Sequence, residues 1–159
     1  MSEQHAAPVE VVRACARAKS RADVRTALRY CSPDTVFETT AFEAVATGID
    51  DVARQTAAPL RTFPDYGVEL EYLVAADDLV AGAGTIRATM TESLVGIGPT
   101  GGAFALPFAC HWRVRDGLIA QERIFFDFHQ MCEQLGLSTA DAAARFAAWR
   151  ERNAKAVAR

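Results

Sequence analysis

Asp127 closes an apolar run and has Phe125, Phe126 and Phe128 around it. A carboxylate in such surroundings is desolvated, and desolvation makes it a stronger acceptor of a proton from a carbon acid. The same residue stands where a helix begins, and aspartate there caps free backbone N–H groups. Both roles are open from the sequence. His111 lies in a β-rich run, sharing a face with Ala109 and Arg113 while Cys110, Trp112 and Val114 share the other. It could polarise a carbonyl or shuttle a proton, or be a structural histidine at a sheet contact. Arg87 interrupts the small and apolar stretch from Ala81 to Met90. An arginine there either pairs, with Asp127 for instance, steadies a developing enolate, or points outward. Arg123 has the strand parity of Phe125 and Asp127, and could enter a cavity or stay exposed. His129 lies at the start of the following helix and either faces a terminus or solvent or contributes to substrate binding.

The residues around these groups are apolar. Tyr30, Phe37, Phe42, Phe63, Met90, Leu94, Phe104, Phe108, Phe125 and Phe128 are the candidates to line a ligand pocket or to fill a core, and a hydrophobic, cyclic ligand suits them. No metal site is expected. The cysteines Cys15, Cys31, Cys110 and Cys132 are widely spaced and form no CxxC pair, so they read as small buried hydrophobes. The glycine-rich stretch from Leu94 to Gly102 lacks the spacing of a phosphate loop and reads as a lid.

The 159 residues suffice for one domain, and half of them are hydrophobic, which argues against disorder. The net charge of -3 and the scattered basic residues argue against nucleic-acid binding. No run is apolar enough to span a membrane, and the segment from Met1 to Pro8 lacks the layout of a signal peptide. A cytoplasmic protein is expected.

The elements that must position these groups follow from periodicity and turn chemistry. Helical spacing runs from Pro8 to Tyr30, with a break near Ser20 and a second start at Asp23. Residues Cys31 to Asp34 read as a turn and Val36 to Thr40 as a short strand. A helix opens at Ile49-Asp50-Asp51, with Pro59 and the later Phe63-Pro64-Asp65 limiting its length. Strands are expected over Tyr66–Ala75, Leu79–Thr91, Phe104–Val114 and Leu118–Asp127, the last two joined by an Arg115-Asp116-Gly117 hairpin turn. A helix from Phe128 stops at Gly136, and Ser138 to Asp141 has the spacing of a cap for a final alanine-rich helix. Helices, then a meander, then helices make an α+β class, with a bent sheet wrapped around the N-terminal helices.

Four segments in this order, Leu94 to Gly101, Trp112 to Ile119, Phe125-Phe126-Asp127 and Gln134 to Leu137, resemble the SnoaL-like polyketide cyclase family of the NTF2-like superfamily, as does Phe63-Pro64-Asp65. The resemblance covers roughly Pro8 to Leu137. It implies an NTF2-like cone, a strongly curved antiparallel or mixed sheet with an extra C-terminal helix. Residues 1–159 are then a single domain, and 138–159 a helical extension. The resemblance also implies a homodimer, a hydrophobic polyketide or polycyclic metabolite as partner, and no cofactor. Its chemistry is cyclase, isomerase or lyase chemistry of secondary metabolism, closing rings by intramolecular aldol condensation, and Asp127 matches the family's acid/base aspartate. Other branches fit less well. An epoxide-hydrolase-like Arg-x-Asp would fall on Arg87-Ala88-Thr89, where the aspartate is missing, and Glu38, Glu43 and Tyr30 do not form the ketosteroid isomerase pattern. A non-catalytic small-molecule binder is the alternative to an enzyme.

Overall fold

The computed structural model describes residues 7–157; residues 1–6 of the N-terminal segment read above and the last two residues of the C-terminal extension, Arg159 included, lie outside that range. The order is α1 (Pro8–Ser20), α2 (Val24–Leu28), β1 (Cys31–Thr39), a 3-10 turn (Thr40–Phe42), β2 (Ala44–Thr47), α3 (Ile49–Thr62), β3 (Gly67–Ala76), β4 (Leu79–Thr89), β5 (Ala103–Arg115), β6 (Leu118–Phe126), α4 (Phe128–Leu135) and α5 (Thr139–Val157). The six strands form one sheet in the order β2-β1-β6-β5-β4-β3. All pairs are antiparallel except β1 with β6, so the sheet is mixed.

The curvature has local causes. Register shifts interrupt β1–β6, β3–β4 and β5–β6, and such bulges bend and twist a strand. On β4, a Cβ added to Gly84 would collide with the Glu69 carbonyl of β3, and one on Gly82 would meet Leu73 and the Tyr72 carbonyl. Glycine at both positions lets the two backbones close in beside the bulge. Alternation then sorts the faces. On β5 the even positions Phe104, Leu106, Phe108, Cys110, Trp112 and Val114 are buried and the odd ones lie outward. The buried face meets α1 through Val11, Val12 and Cys15, and α4 through Met131, Cys132 and Leu135. All four cysteines are free and buried.

Several local expectations need correction. Cys31 to Asp34 is not a turn but the start of β1, which the chain joins as soon as Ile119 N donates to the Tyr30 carbonyl at 2.7 Å. Of the two limits on α3, Pro59 lies inside the helix, and the helix stops at Thr62, capped by Phe63 of the Phe63-Pro64-Asp65 segment. The lid reading of Leu94–Gly102 also changes. Leu94 is buried and bridges Ile97, Thr100 Oγ1 donates to the Leu135 carbonyl at 2.7 Å, and Gly102 packs on the same residue. The stretch is moored to the end of α4. Asp65, from the Phe63-Pro64-Asp65 segment, moors the α3–β3 connection by accepting from both the amide and the hydroxyl of Thr89 at 2.7 Å; that hydroxyl holds its carboxyl below the usual range.

α5 returns across the open end. Phe146 stacks on Phe42 with centroids 4.3 Å apart, and Arg150 donates to the Phe42 carbonyl and pairs with Glu43, both at 2.9 Å. Among the described residues, no helix is long and apolar enough to cross a membrane.

Candidate functional site

Between α1, α3 and the concave face of the sheet lies a cavity of about 150 Å³. Its walls are Phe37 from β1, Phe42, Phe63, Phe104 from β5, Phe126 from β6 and Met131 from α4. Phe42 meets Phe126, and Phe63 meets Phe104, edge to face with centroids 5.5 Å apart, the geometry that aromatic quadrupoles favour. Gln55 and Thr56 of α3 are half-buried members of the lining.

At its base the cavity is polar. Lys19, near the end of α1, places Nζ 2.8 Å from each carboxylate oxygen of Glu122 on β6. Trp112 Nε1 donates to Glu122 Oε2 at 2.9 Å from the neighbouring strand, where the two residues are register partners. The Lys19 ammonium also sits 4.5 Å from the centre of the Phe37 ring, a cation–π contact. Tyr66 completes the group. Among the lining residues Lys19, Tyr66 and Glu122 are the ionisable ones. A second chamber of about 30 Å³ lies behind them, lined by Val12, Cys15, Phe108 and Trp112 among others, and shares Lys19, Tyr66, Ile86, Glu122 and Ile124 with the first. The polar cluster therefore forms the wall between two apolar spaces.

Burial and charge set the protonation of this wall. Burial works against the Lys19 ammonium, but the Glu122 carboxylate beside it, together with Cys15 and Tyr66, offsets that, and the net effect raises its pKa. Burial pushes the Tyr66 phenol up to about 12 against the opposing Lys19 charge. Tyr66 is thus a neutral donor at physiological pH, and among the described residues its hydroxyl has no hydrogen-bond partner. Behind the wall, the Cys15 and Cys31 thiols each donate to the Ala27 carbonyl at 3.7 Å, and the neighbouring Cys31 thiol holds the pKa of Cys15 below its usual value despite its burial.

The residues singled out in the sequence divide into two groups. Phe37, Phe42, Phe63 and Phe104 line the cavity, and Phe108 the smaller chamber. The rest do not. Asp127 is exposed and caps α4, accepting from Gln130 N at 2.9 Å, so of the two roles open to it the structure places it in the second. His111 lies on the outer face, its ring 5.9 Å from that of Phe125, itself 42% exposed. Arg123 is also outward and pairs with Glu38, its register partner on β1. Arg87 is exposed and pairs with Glu69 at 3.4 Å, not with Asp127. His129 is exposed, with Nδ1 2.8 Å from Thr139 Oγ1. Tyr30 packs on the core at the α2–β1 junction, and Met90 is fully buried beside Gly98; neither lines the cavity. One physical fact sorts the strand residues: inward positions on β5 and β6 are even, so Glu122, Ile124 and Phe126 face in while Arg123 and Phe125 face out.

Sequence reasoning passed over Lys19, Tyr66 and Glu122. Glu122 sits in the polar stretch Gln121-Glu122-Arg123, which reads as a solvated strand. The available signal was its register partner Trp112, whose apolar face-mates Cys110 and Val114 mark the inside.

Among the described residues no group of three or more His, Cys, Asp or Glu side chains could hold a metal ion. No curated protein matches the chain. Solved structures do. IdmH of Streptomyces antibioticus, whose assignment as a polyketide cyclase is provisional, is 27% identical, with 83% of this chain and 100% of that one covered at a TM-score of 0.70. A provisionally assigned SnoaL-like polyketide cyclase of Jannaschia sp. CCS1 gives 17% identity, 87% and 97% coverage and a TM-score of 0.76. A protein of Catenulispora acidiphila with a ketosteroid isomerase-like fold gives 19%, 82% and 95%, and 0.74. The curved sheet and its helices are thus of the NTF2-like and ketosteroid isomerase-like kind. The family model for SnoaL-like polyketide cyclases matches residues 9–135, from α1 to the last turn of α4, and the chain belongs to that family.

Proposed function

We propose that this protein is a cofactor-free cyclase or isomerase of a small hydrophobic carbonyl compound, with Glu122 as the acid/base group. One observation carries the reading: a carboxylate held at fixed orientation by Lys19 and Trp112 faces an apolar cavity that also presents a neutral tyrosine hydroxyl. In this scheme Tyr66 donates a hydrogen bond to the substrate carbonyl oxygen, and Glu122 removes a proton from the adjacent carbon. The electron pair of that C–H bond becomes the enolate, whose oxygen Tyr66 and the Lys19 charge stabilise. The enolate carbon then attacks a second carbonyl of the same molecule, or is reprotonated elsewhere; in each case Glu122 returns its proton. Apolar walls exclude water and strengthen both interactions.

A second reading rests on the same atoms. Lys19 engages both oxygens of Glu122, so the pair could serve to build a binding pocket without turnover. Deuterium incorporation separates the two. Phenylacetone in D₂O, followed by proton NMR, should exchange its acidic protons faster with the protein than with buffer of equal pH. Equal rates, with binding of the ketone shown separately, favour the non-catalytic pocket.

We also propose a cytoplasmic homodimer joined through the outer sheet face. Exposed Tyr72, Val74, Leu79 and Phe125 support it, and sedimentation equilibrium tests it.

A further inference from the structure

We infer that the part of the ligand seated in this cavity is a single uncharged ring bearing one oxygen, held by the Tyr66 hydroxyl, with the remainder leaving past Gln55 and Thr56. The inference rests on the reading above only in taking this cavity as the ligand site. Size comes first. The cavity measures about 150 Å³, and an apolar protein cavity of about that volume accepts benzene. A fused polycyclic skeleton has no room to lie within it.

Charge comes second. Lys19 is the cation of the lining and Glu122 its carboxylate, and the two are engaged with each other at 2.8 Å. An anionic or cationic head group entering here would lose its water and find the complementary charge already paired. The walls favour a flat, neutral group: Phe42 with Phe126, and Phe63 with Phe104, present aromatic edges and faces.

Polarity comes third. Tyr66 is a half-buried member of the lining, and its hydroxyl, a neutral donor near pH 7, has no protein partner among the described residues. A ligand oxygen supplies the missing acceptor, which fixes where on the ring the oxygen must be: at the end that enters first, beside Lys19 and Glu122. Gln55 and Thr56, polar and half-buried on α3, belong to the same lining, and the remainder of the ligand is assigned to their side.

Isothermal titration calorimetry of the full chain near pH 7 tests this with four probes. Para-cresol should bind. Toluene, lacking the oxygen, should bind about tenfold more weakly, the worth of one hydrogen bond to a buried donor. 4-Hydroxybenzoate, ionised at this pH, should bind more weakly than para-cresol, and so should 1-hydroxypyrene with its four fused rings. Tyr66→Phe should lower para-cresol to the affinity of toluene while leaving toluene unchanged, which also shows that the variant is folded. No para-cresol binding, equal or tighter binding of 4-hydroxybenzoate or 1-hydroxypyrene, or an unchanged para-cresol affinity in Tyr66→Phe would overturn the inference. These readouts need no turnover: absence of catalysis leaves the inference standing, and a preference for charged or polycyclic probes removes it without touching the acid/base scheme.

Discussion

Lys19 and Glu122 meet across 103 residues of sequence, one on α1 and the other on β6, with both carboxylate oxygens 2.8 Å from the ammonium. Their side chains are 16% and 13% exposed. A pair this dry is poor value for stability, because desolving two charges offsets most of their attraction. Lys19→Met would strand the carboxylate in an apolar wall and should cost about 3–5 kcal/mol. The double variant Lys19→Met/Glu122→Leu removes the stranded charge and should recover most of that loss. Urea denaturation followed by circular dichroism measures both; a double variant no more stable than the single would mean that the pair is the main tie between α1 and the sheet.

Alkaline pH should weaken the fold through the same wall. Lys19 and Tyr66 both have folded-state pKa values raised above their unfolded ones. Stability from such groups is fully present below the unfolded values, near pH 10 for both, and is lost as pH rises through the folded ones. Melting temperature should therefore change little from these groups between about pH 7 and 10 and fall above that range. Ultraviolet titration should show one tyrosine ionising at about 12, missing in Tyr66→Phe.

Asp127 should matter to α4 and not to chemistry. Its side chain caps the helix through Gln130 N. Asp127→Ala should cost about 1 kcal/mol, and Asp127→Asn, an equally good cap, close to nothing. Thermal melts of the two variants check this, and neither should alter the exchange of phenylacetone.

The C-terminal helix should fold with the rest. Phe146 is 5% exposed and stacks on Phe42, a wall of the cavity. Phe146→Ala should cost about 3–5 kcal/mol and loosen ligand binding as well. A single unfolding transition by fluorescence and circular dichroism is expected for the native chain; two transitions would mark α5 as a separate unit.

Much of this scaffold is legible in the residues. Asp116-Gly117 announces the β5–β6 hairpin, and both residues take the left-handed backbone that such a turn requires. Gly136 ends α4 with φ at 72° for the same reason. Asp23 starts α2 by accepting from Thr26 N at 3.0 Å. The site is less legible because its polar members come from distant segments. Nothing local distinguishes Lys19 from the arginines of α1, and Tyr66 follows a loop. Asp127 misled for a physical reason: an aspartate at a strand end between phenylalanines satisfies both the pocket pattern and the cap pattern, and the backbone N–H of Gln130 won it. For His111 and Arg123, register partners on β5 and β6, the sequence leaves the inward and outward alternatives open, and the parity of both strands turns them outward, to the sheet contact and the exposed position among those alternatives.

The central claim is that Glu122, and not Asp127, moves the proton. The direct measurement is the rate of deuterium incorporation into phenylacetone with native protein, Glu122→Gln and Asp127→Asn, each shown to be folded by circular dichroism. The account predicts that Glu122→Gln loses about 100-fold or more of the protein-dependent rate, while Asp127→Asn keeps the native rate. The reverse pattern, with Glu122→Gln active and Asp127→Asn silent, would contradict it.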